Sequence, residues 1–470
     1  MGHDSTERIT ADLTRWVAAA APGARVPSNR ALVARYGASP VTVQRVMSDL
    51  AGRGLVESQP GVGTFVRAVR ARRPADYGWQ TSALPASEHR GTSVSSTQTT
   101  PAPDSIALHS GYPSRELLPE RLVRQALARA ARAPNALERS PAAGLPELRA
   151  WFAHEVASVT PAGLGAPTER DVLIVGGSQS GLSSIFRSVV GVGRPLLVES
   201  PTYWGAILAA RQAGVVLVPV ATGPDGPDPD AVARALDLTG ARAFYAQPNF
   251  ANPTGGQWTA ERATAVLDVV TQRGAFVIED DWAHDLGIDA ESRPLVAHDD
   301  AGRVIYVRSL TKSVSPAVRV AAIIARGPAR DRILADRASD SMYVSAVLQT
   351  AALDVITQPA WRAHGRSVRA QLADRRDALL GSVLDTIPAA HVERRPVGGF
   401  NLWVRLPDGA DVDQLAVECR GRGVVVAPGT EWFPAEPSAP HIRLNYAAAD
   451  PARFDDATSV IRDVLAAHTR

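Results

Sequence analysis

Along the first 67 residues apolar side chains recur at helical spacing three times, then at strand spacing. Ile9, Leu13, Trp16 and Val17 fall on one face of a first helix. Ser28 is placed to cap a second helix holding Ala31, Leu32 and Ala34, and Gly37 to end it. Ser39 caps a third, with Pro40 at its first position, where a missing N–H costs nothing. Val43, Val46, Met47 and Leu50 form its buried stripe, which leaves Thr42, Gln44 and Arg45 pointing outward. The run from Leu55 to Arg67, with Pro60-Gly61-Val62-Gly63 at its centre, predicts two short strands around a turn.

The pattern then stops. Arg70, Arg72 and Arg73 lead into a stretch rich in Ser, Thr, Pro and Ala, with too few apolar residues to fold alone, so 68–104 is expected to be a flexible linker. Beyond it, strand-like apolar runs alternate with helical patterns through residue 470, as in an α/β domain.

Charge sharpens this division. Residues 1–73 hold 11 arginines against 5 carboxylates, about +6, while the rest holds 39 basic and 43 acidic residues, about −4. A polyanion is therefore expected to meet the amino-terminal end. A single cysteine, Cys419, excludes an intramolecular disulfide and a cysteine-rich metal site and fits a reducing cytoplasm. The chain starts without the basic-then-apolar order of a signal peptide, and no apolar run approaches the ~20 residues of a membrane span, so a soluble intracellular protein is expected.

Of the 50 basic side chains, 49 are arginines and one is Lys312. A desolvated amine can lose its proton and attack a carbonyl to form a Schiff base, which arginine cannot do; a surface lysine surviving by chance is the alternative. Around it lie pieces that are individually ordinary. Asp171–Val175 reads as a strand that runs into Gly176-Gly177-Ser178-Gln179-Ser180-Gly181 and a helix from about Leu182, a turn that could present N–H groups and hydroxyls to an anion or be only a turn. Ala275–Glu279 delivers Asp280 and Asp281 at a carboxyl end, where carboxylates either cap a helix or pair with a ligand cation. Asn252-Pro253-Thr254-Gly255 lies between them, and Val304–Arg308 runs into Ser309, Lys312 and Arg319. Pyridoxal 5′-phosphate (PLP) satisfies every piece: an aldehyde for the lysine, a phosphate for the Gly-Ser turn, Ser309 and Arg319, and a pyridine nitrogen for a carboxylate.

Two helices and a tight turn, with polar and cationic side chains on the second, form a helix-turn-helix that fits the major groove, unless the polar face of a small bundle is only solvated. Pro27-Ser28-Asn29-Arg30-Ala31-Leu32, Tyr36 to Val43, Gly54-Leu55-Val56 and Gly61 to Val66 resemble, in order, the winged-helix domain of GntR-family regulators. That resemblance implies DNA contacts from Ser28, Arg30, Ser39, Thr42, Gln44, Arg45, Gly63 and Thr64. Pro40 stands where many members have arginine, which leaves one phosphate or base contact, and hence the family's usual operator preference, open. From about residue 105 the chain resembles a fold-type I aminotransferase, and the whole resembles the MocR subgroup. The implied fold is multidomain: an α+β winged helix over 1–67, then over 105–470 an α/β PLP-dependent transferase, with a large mixed sheet and a small α+β part from about 330.

Residue by residue, the resemblance makes Lys312 the Schiff-base lysine and places Gly177, Ser178, Gln179, Ser309 and Arg319 around the phosphate. It stacks Tyr203 on the ring and sets Asn252 near the ring hydroxyl, Asp280 at the pyridine nitrogen and Arg443 on a substrate's α-carboxylate; a salt bridge within its strand is the alternative for Arg443. Trp282 stands where the family has a tyrosine beside the cofactor; its indole donates a hydrogen bond but neither accepts one nor ionises near neutral pH. Arg139-Ser140 replaces a tyrosine that serves the partner subunit's phosphate. The expected function is a PLP-binding regulator of operator DNA that senses PLP, an amine or an amino acid, not a dedicated enzyme, and a homodimer by both halves. The rivals are a working aminotransferase with an accessory DNA-binding domain and an enzyme whose amino-terminal domain binds protein.

Overall fold

The computed structural model describes residues 2–67 and 95–468; the expected linker lies outside them up to residue 94. Two compact units are formed, Met1–Thr92 and Ser93–Arg470.

In the first, α1 (Gly2–Ala19), α2 (Asn29–Tyr36) and α3 (Pro40–Gly52) precede a hairpin of β1 (Val56–Gln59) and β2 (Gly63–Val66). Ile9, Leu13, Val17, Leu32, Val43, Val46, Met47 and Leu50 close one core with Val26, Val56 and Val66. Ser28 Oγ accepts the Ala31 N–H at 3.2 Å and Ser39 Oγ the Thr42 N–H at 3.1 Å, each satisfying a donor that the first helical turn leaves free. Gly37, at φ 59°, ends α2 in the left-handed region. Only Leu32 of the apolar residues expected on α2 is buried; Ala31 and Ala34 are exposed, because eight residues offer little more than two turns to the core.

The second unit is built on an eight-stranded sheet. Its order is β4 (Val172–Val175), β11 (Ala321–Ile324), β10 (Val304–Ser309), β9 (Phe276–Asp281), β8 (Ala243–Ala246), β5 (Pro195–Ser200), β6 (Val216–Gly223) and β7 (Gly226–Pro227). The run from β10 through β6 is parallel, while β11 pairs antiparallel with both β10 and β4. Val-Leu-Ile-Val, Ala-Phe-Tyr-Ala and Val-Ile-Tyr-Val-Arg-Ser are buried throughout, as expected of strands covered on both faces. The period of two sends Ile174, Phe244, Val277 and Tyr306 to one core and Leu173, Val175, Tyr245, Ile278 and Ile305 to another.

A third core belongs to the small domain. Strands β12 (Asn401–Arg405), β15 (His441–Asn445) and β14 (Ala427–Pro428) form its sheet, and β13 (Val424–Val425) pairs in parallel with β3 (Ile106–Ala107). Its boundary differs from the one expected near 330. Ala329, Ile333, Ala351 and Val355 pack with the large sheet, and the helix Pro359–Thr386 enters the small core only from Val368. Ile106, Leu108 and Leu117 join that core from the other end of the domain, a long-range pairing that no local pattern announces. Residues 95–104, expected within the linker, are folded at their start: Glu431 accepts the Ser95 hydroxyl at 2.5 Å and the Ser96 N–H at 2.9 Å. Among the described residues no helix is long and apolar enough to cross a membrane.

Candidate functional site

The carboxyl ends of β4, β9 and β10 converge with two segments from the small domain. After β4, Gly177 adopts φ 91° and the helix Ser178–Ile185 starts at once, four residues before the pattern suggested. Ser178 and Gln179 thereby occupy its first turn, where backbone N–H groups have no helical partner. A Cβ on Gly177 would stand 2.7 Å from Arg319 Nη2, so glycine is what lets the guanidinium approach this turn. Arg319 is exposed, holds φ 51° and donates to the Gly176 carbonyl at 3.1 Å. Ser309 is buried at the end of β10 and its Oγ accepts the Thr311 N–H at 3.1 Å. Gln179 donates to the Gly205 carbonyl at 2.7 Å, beside Tyr203.

Asp280 and Asp281 part company because successive strand residues face opposite ways. Asp281 turns to a separate network, accepting from Ser292 and Tyr306 at 2.8 Å with His284 Nδ1 at 2.7 Å. Asp280 Oδ2 accepts the Tyr245 hydroxyl and the Gln247 amide, each at 2.8 Å, whereas its buried Oδ1 has no partner. Burial pushes its pKa up to about 6, against those two hydrogen bonds.

Lys312 Nζ donates to the Gly111 carbonyl at 2.7 Å and lies 3.4 Å from the centre of the Tyr112 ring. Burial first, then the positive charges of Arg443 and Arg319, bring its pKa down to about 7, with Asp280 opposing. Arg443, 1 % exposed on β15, donates to the carbonyls of His109 and Ser110 and stacks 4.9 Å from the Trp432 ring. Its Nε is buried without a partner, and no carboxylate among the described residues pairs with it, which removes the strand salt bridge as an account of this residue. Burial lowers its pKa to about 10. Trp432 in turn donates to Asn252 Oδ1 at 3.1 Å, and Asn252 N–H to Gln247 Oε1 at 2.9 Å.

In the amino-terminal unit Arg30, Gln44 and Arg45 are exposed. Gln44 Oε1 accepts from Asn29 at 2.9 Å, and Thr42, half-buried, is bonded to Ser39 at 2.9 Å. In the hairpin Thr64 bonds Ser58 at 3.1 Å, and a Cβ on Gly63 would meet Arg25 Nε at 2.8 Å. Val41, 78 % exposed, shares the outer face of α3 with Gln44 and Arg45.

The family model for aminotransferase class I and II matches residues 103–461. The chain belongs to this family. Residues 5–66 match the gntR family of bacterial regulatory proteins, so the architecture is that of MocR-like regulators. The chain is 30% identical over 357 residues to a 2-aminoadipate transaminase of Thermus thermophilus, covering 75% of this chain and 87% of that one. It is 26% identical over 440 residues to YdcR of Escherichia coli, an uncharacterized HTH-type transcriptional regulator, covering 91% of each. Among solved structures, the α-aminoadipate aminotransferase LysN of Thermus thermophilus, complexed with N-(5′-phosphopyridoxyl)-L-leucine, superposes with a TM-score of 0.72 at 27% identity, covering 79% of this chain and 96% of that one.

The cofactor of this aminotransferase-family chain is PLP. The residues present fit it: the unpartnered buried oxygen of Asp280 suits a protonated ring nitrogen, and the Gly177 turn with Arg319 suits a phosphate. One expectation changes. The Trp282 indole N–H donates to the Phe250 carbonyl at 3.1 Å and its ring packs edge-on against Phe400, 5.1 Å away, so Trp282 is a wall of the small-domain core rather than a hydrogen-bond donor to the cofactor. Ser140 is buried with its hydroxyl unpartnered. Sequence reasoning missed Tyr112, Tyr245, Gln247 and Trp432. Gln247 was accessible to it, since it directly follows β8 at the edge where a parallel sheet gathers ligand contacts. Tyr112 and Trp432 carry no such local signal.

Proposed function

We propose that the protein is a transcriptional regulator in which the amino-terminal unit binds operator DNA and the aminotransferase-like domain senses an amino acid at the Lys312 cleft. The observation that carries this reading is a near-neutral lysine beside a buried guanidinium without a carboxylate partner, in a chain that aligns over most of its length with HTH-type regulators. Bound there, PLP supplies an aldehyde that condenses with primary amines and a pyridine ring that withdraws electrons.

The chain's own residues do the rest. Lys312, whose amine is readily neutral, would hold the cofactor. Gly177, Ser178, Gln179, Ser309 and Arg319 would hold the phosphate, Tyr203 and Asn252 would flank the ring, and Asp280, fixed by Tyr245 and Gln247, would keep the ring nitrogen protonated. Arg443 would attract an α-carboxylate with the N–H groups that the His109 and Ser110 carbonyls leave free, and so orders amino acids above simple amines. With the Trp282 N–H committed to Phe250, no ionisable group stands at that position to tune proton transfer, so turnover is slow and the domain binds better than it converts.

On the DNA side, α3 enters the major groove with Gln44 and Arg45 toward base edges, Arg30 toward phosphate, and the Gly63–Thr64 hairpin as the wing; Ser28, Ser39 and Thr42 fix the helix ends that approach the backbone. A ligand that prefers one arrangement of the protein shifts operator affinity by its differential binding energy. We assign the active form to a cytoplasmic homodimer. The test titrates amino acids against the purified protein while following cofactor absorbance, operator affinity and turnover with keto-acid acceptors. A spectral change coupled to altered operator affinity supports the sensor; rapid multiple turnover with operator affinity unmoved would replace it by a working aminotransferase.

A further inference from the structure

A second cavity lies away from the Lys312 cleft. It has a volume of about 140 Å³ and is bounded by Glu199, Thr222, Trp258, Glu393, Arg394 and Trp403; none of the residues assigned to the cofactor lines it. We propose that this cavity is a binding site for a small organic ammonium ion.

Glu199 is the first reason. It is 2 % exposed, yet no cationic side chain among the described residues pairs with it. Its carboxylate is held by neutral donors, the Gln247 N–H at 2.7 Å, the Trp258 indole N–H at 3.0 Å and the Thr222 side chain. Burial without a counter-charge pushes its pKa up to about 7, and a cation beside it would recover the ionised form. The second reason is the composition of the walls. Trp258 and Trp403 line the cavity, and indole faces attract cations more strongly than other aromatic rings do. Trp258 is backed by Phe244, stacked at 6.2 Å, and Trp403 by His441, stacked at 4.7 Å, so both indoles are held in place before a ligand arrives. At the rim, Arg394 already faces Asp225 at 3.4 Å, whereas Glu393 is exposed and in no ion pair among the described residues. The net preference is for positive charge, and apolar indole walls favour an alkylated ammonium over a hydrated metal ion.

Occupancy has a short route to the cofactor. Gln247 gives its backbone N–H to Glu199 and its side-chain amide to Asp280, so one residue joins the two sites.

Tetramethylammonium chloride is the probe, because a quaternary ammonium has no N–H and cannot condense with an aldehyde; any binding is therefore separate from the Lys312 chemistry. Calorimetry and tryptophan fluorescence on the full-length protein with PLP bound, against sodium chloride at equal ionic strength, are expected to show saturable binding. Affinity should fall roughly tenfold in Trp403→Leu, the scale of one lost indole–cation contact. Because Trp403 is itself packed in a core, the exposed Glu393→Gln gives a second variant, expected to weaken binding several-fold with folding unaffected. Saturation should also shift the cofactor's absorbance, and Gln247→Ala should remove that shift. Absence of saturable binding, or binding indifferent to both Trp403→Leu and Glu393→Gln, overturns the site; binding without any spectral shift overturns the route through Gln247. Neither result depends on whether the amino-terminal unit binds DNA.

Discussion

Arg45 and Arg443 carry the same guanidinium in opposite surroundings. Arg45 stands in solvent on α3 among the 11 arginines of an electropositive end, whereas Arg443 is 1 % exposed with its Nε unpartnered. In water a charge acts at a distance, is screened by salt and tolerates inexact placement. Inside the protein it acts only on a group that fits, because burial has already stripped its hydration and any mismatch leaves that cost uncompensated. The first arrangement suits a polyanion met along many registers; the second suits one carboxylate of one molecule.

This contrast can be broken most completely at Lys312. Lys312→Ala should abolish the visible absorbance of lysine-bound PLP, and borohydride treatment of the variant should leave no pyridoxyl adduct on the chain, read by mass spectrometry. Retention of an adduct would place the covalent site elsewhere.

Arg443→Ala tests the buried half of the comparison. Removing one side of a desolvated charge pair costs about 2 to 5 kcal/mol, so amino acids should lose their spectral response at accessible concentrations while amines without a carboxylate keep theirs. Equal loss for both would show that Arg443 supports the fold of the cleft instead of reading the acid.

For the exposed half, Arg45→Ala should cost about 1 to 3 kcal/mol and relax preference at one base pair if the guanidinium reads a base edge. If it neutralises a phosphate, binding should weaken on all sequences and the salt slope should fall by about 0.9. Unaltered affinity and slope would remove Arg45 from the interface.

The smallest effect expected is one of pH. With Lys312 near 7, the neutral, nucleophilic fraction of its amine grows as pH rises through that value, so capture of PLP by cofactor-free protein should accelerate about tenfold between pH 6 and 8. An ordinary lysine would show a far lower neutral fraction, still rising throughout that range, and such a profile would contradict the burial ascribed to this amine.

Much of the molecule was legible in the chain itself. The spacing of Val43, Val46, Met47 and Leu50 determined which face of α3 is buried, Ser28, Ser39 and Gly37 determined where helices start and stop, and the apolar runs of β4, β9 and β10 marked strands, because each is a local consequence of backbone geometry. The single lysine among 50 basic residues pointed to the chemistry without any fold. Tertiary structure decided what required distant segments to meet. Gly111 reaches Lys312 across 201 positions, with Tyr112 beside it, Arg443 reaches Ser110 across 333, and Trp432 reaches Asn252 across 180. The pleat separated Asp280 from Asp281, and the small-domain core turned Trp282 away from the ring, toward Phe250. A periodic pattern specifies which side of an element is dry, but which partners wait there depends on how separate elements pack, and that information is spread over the whole chain.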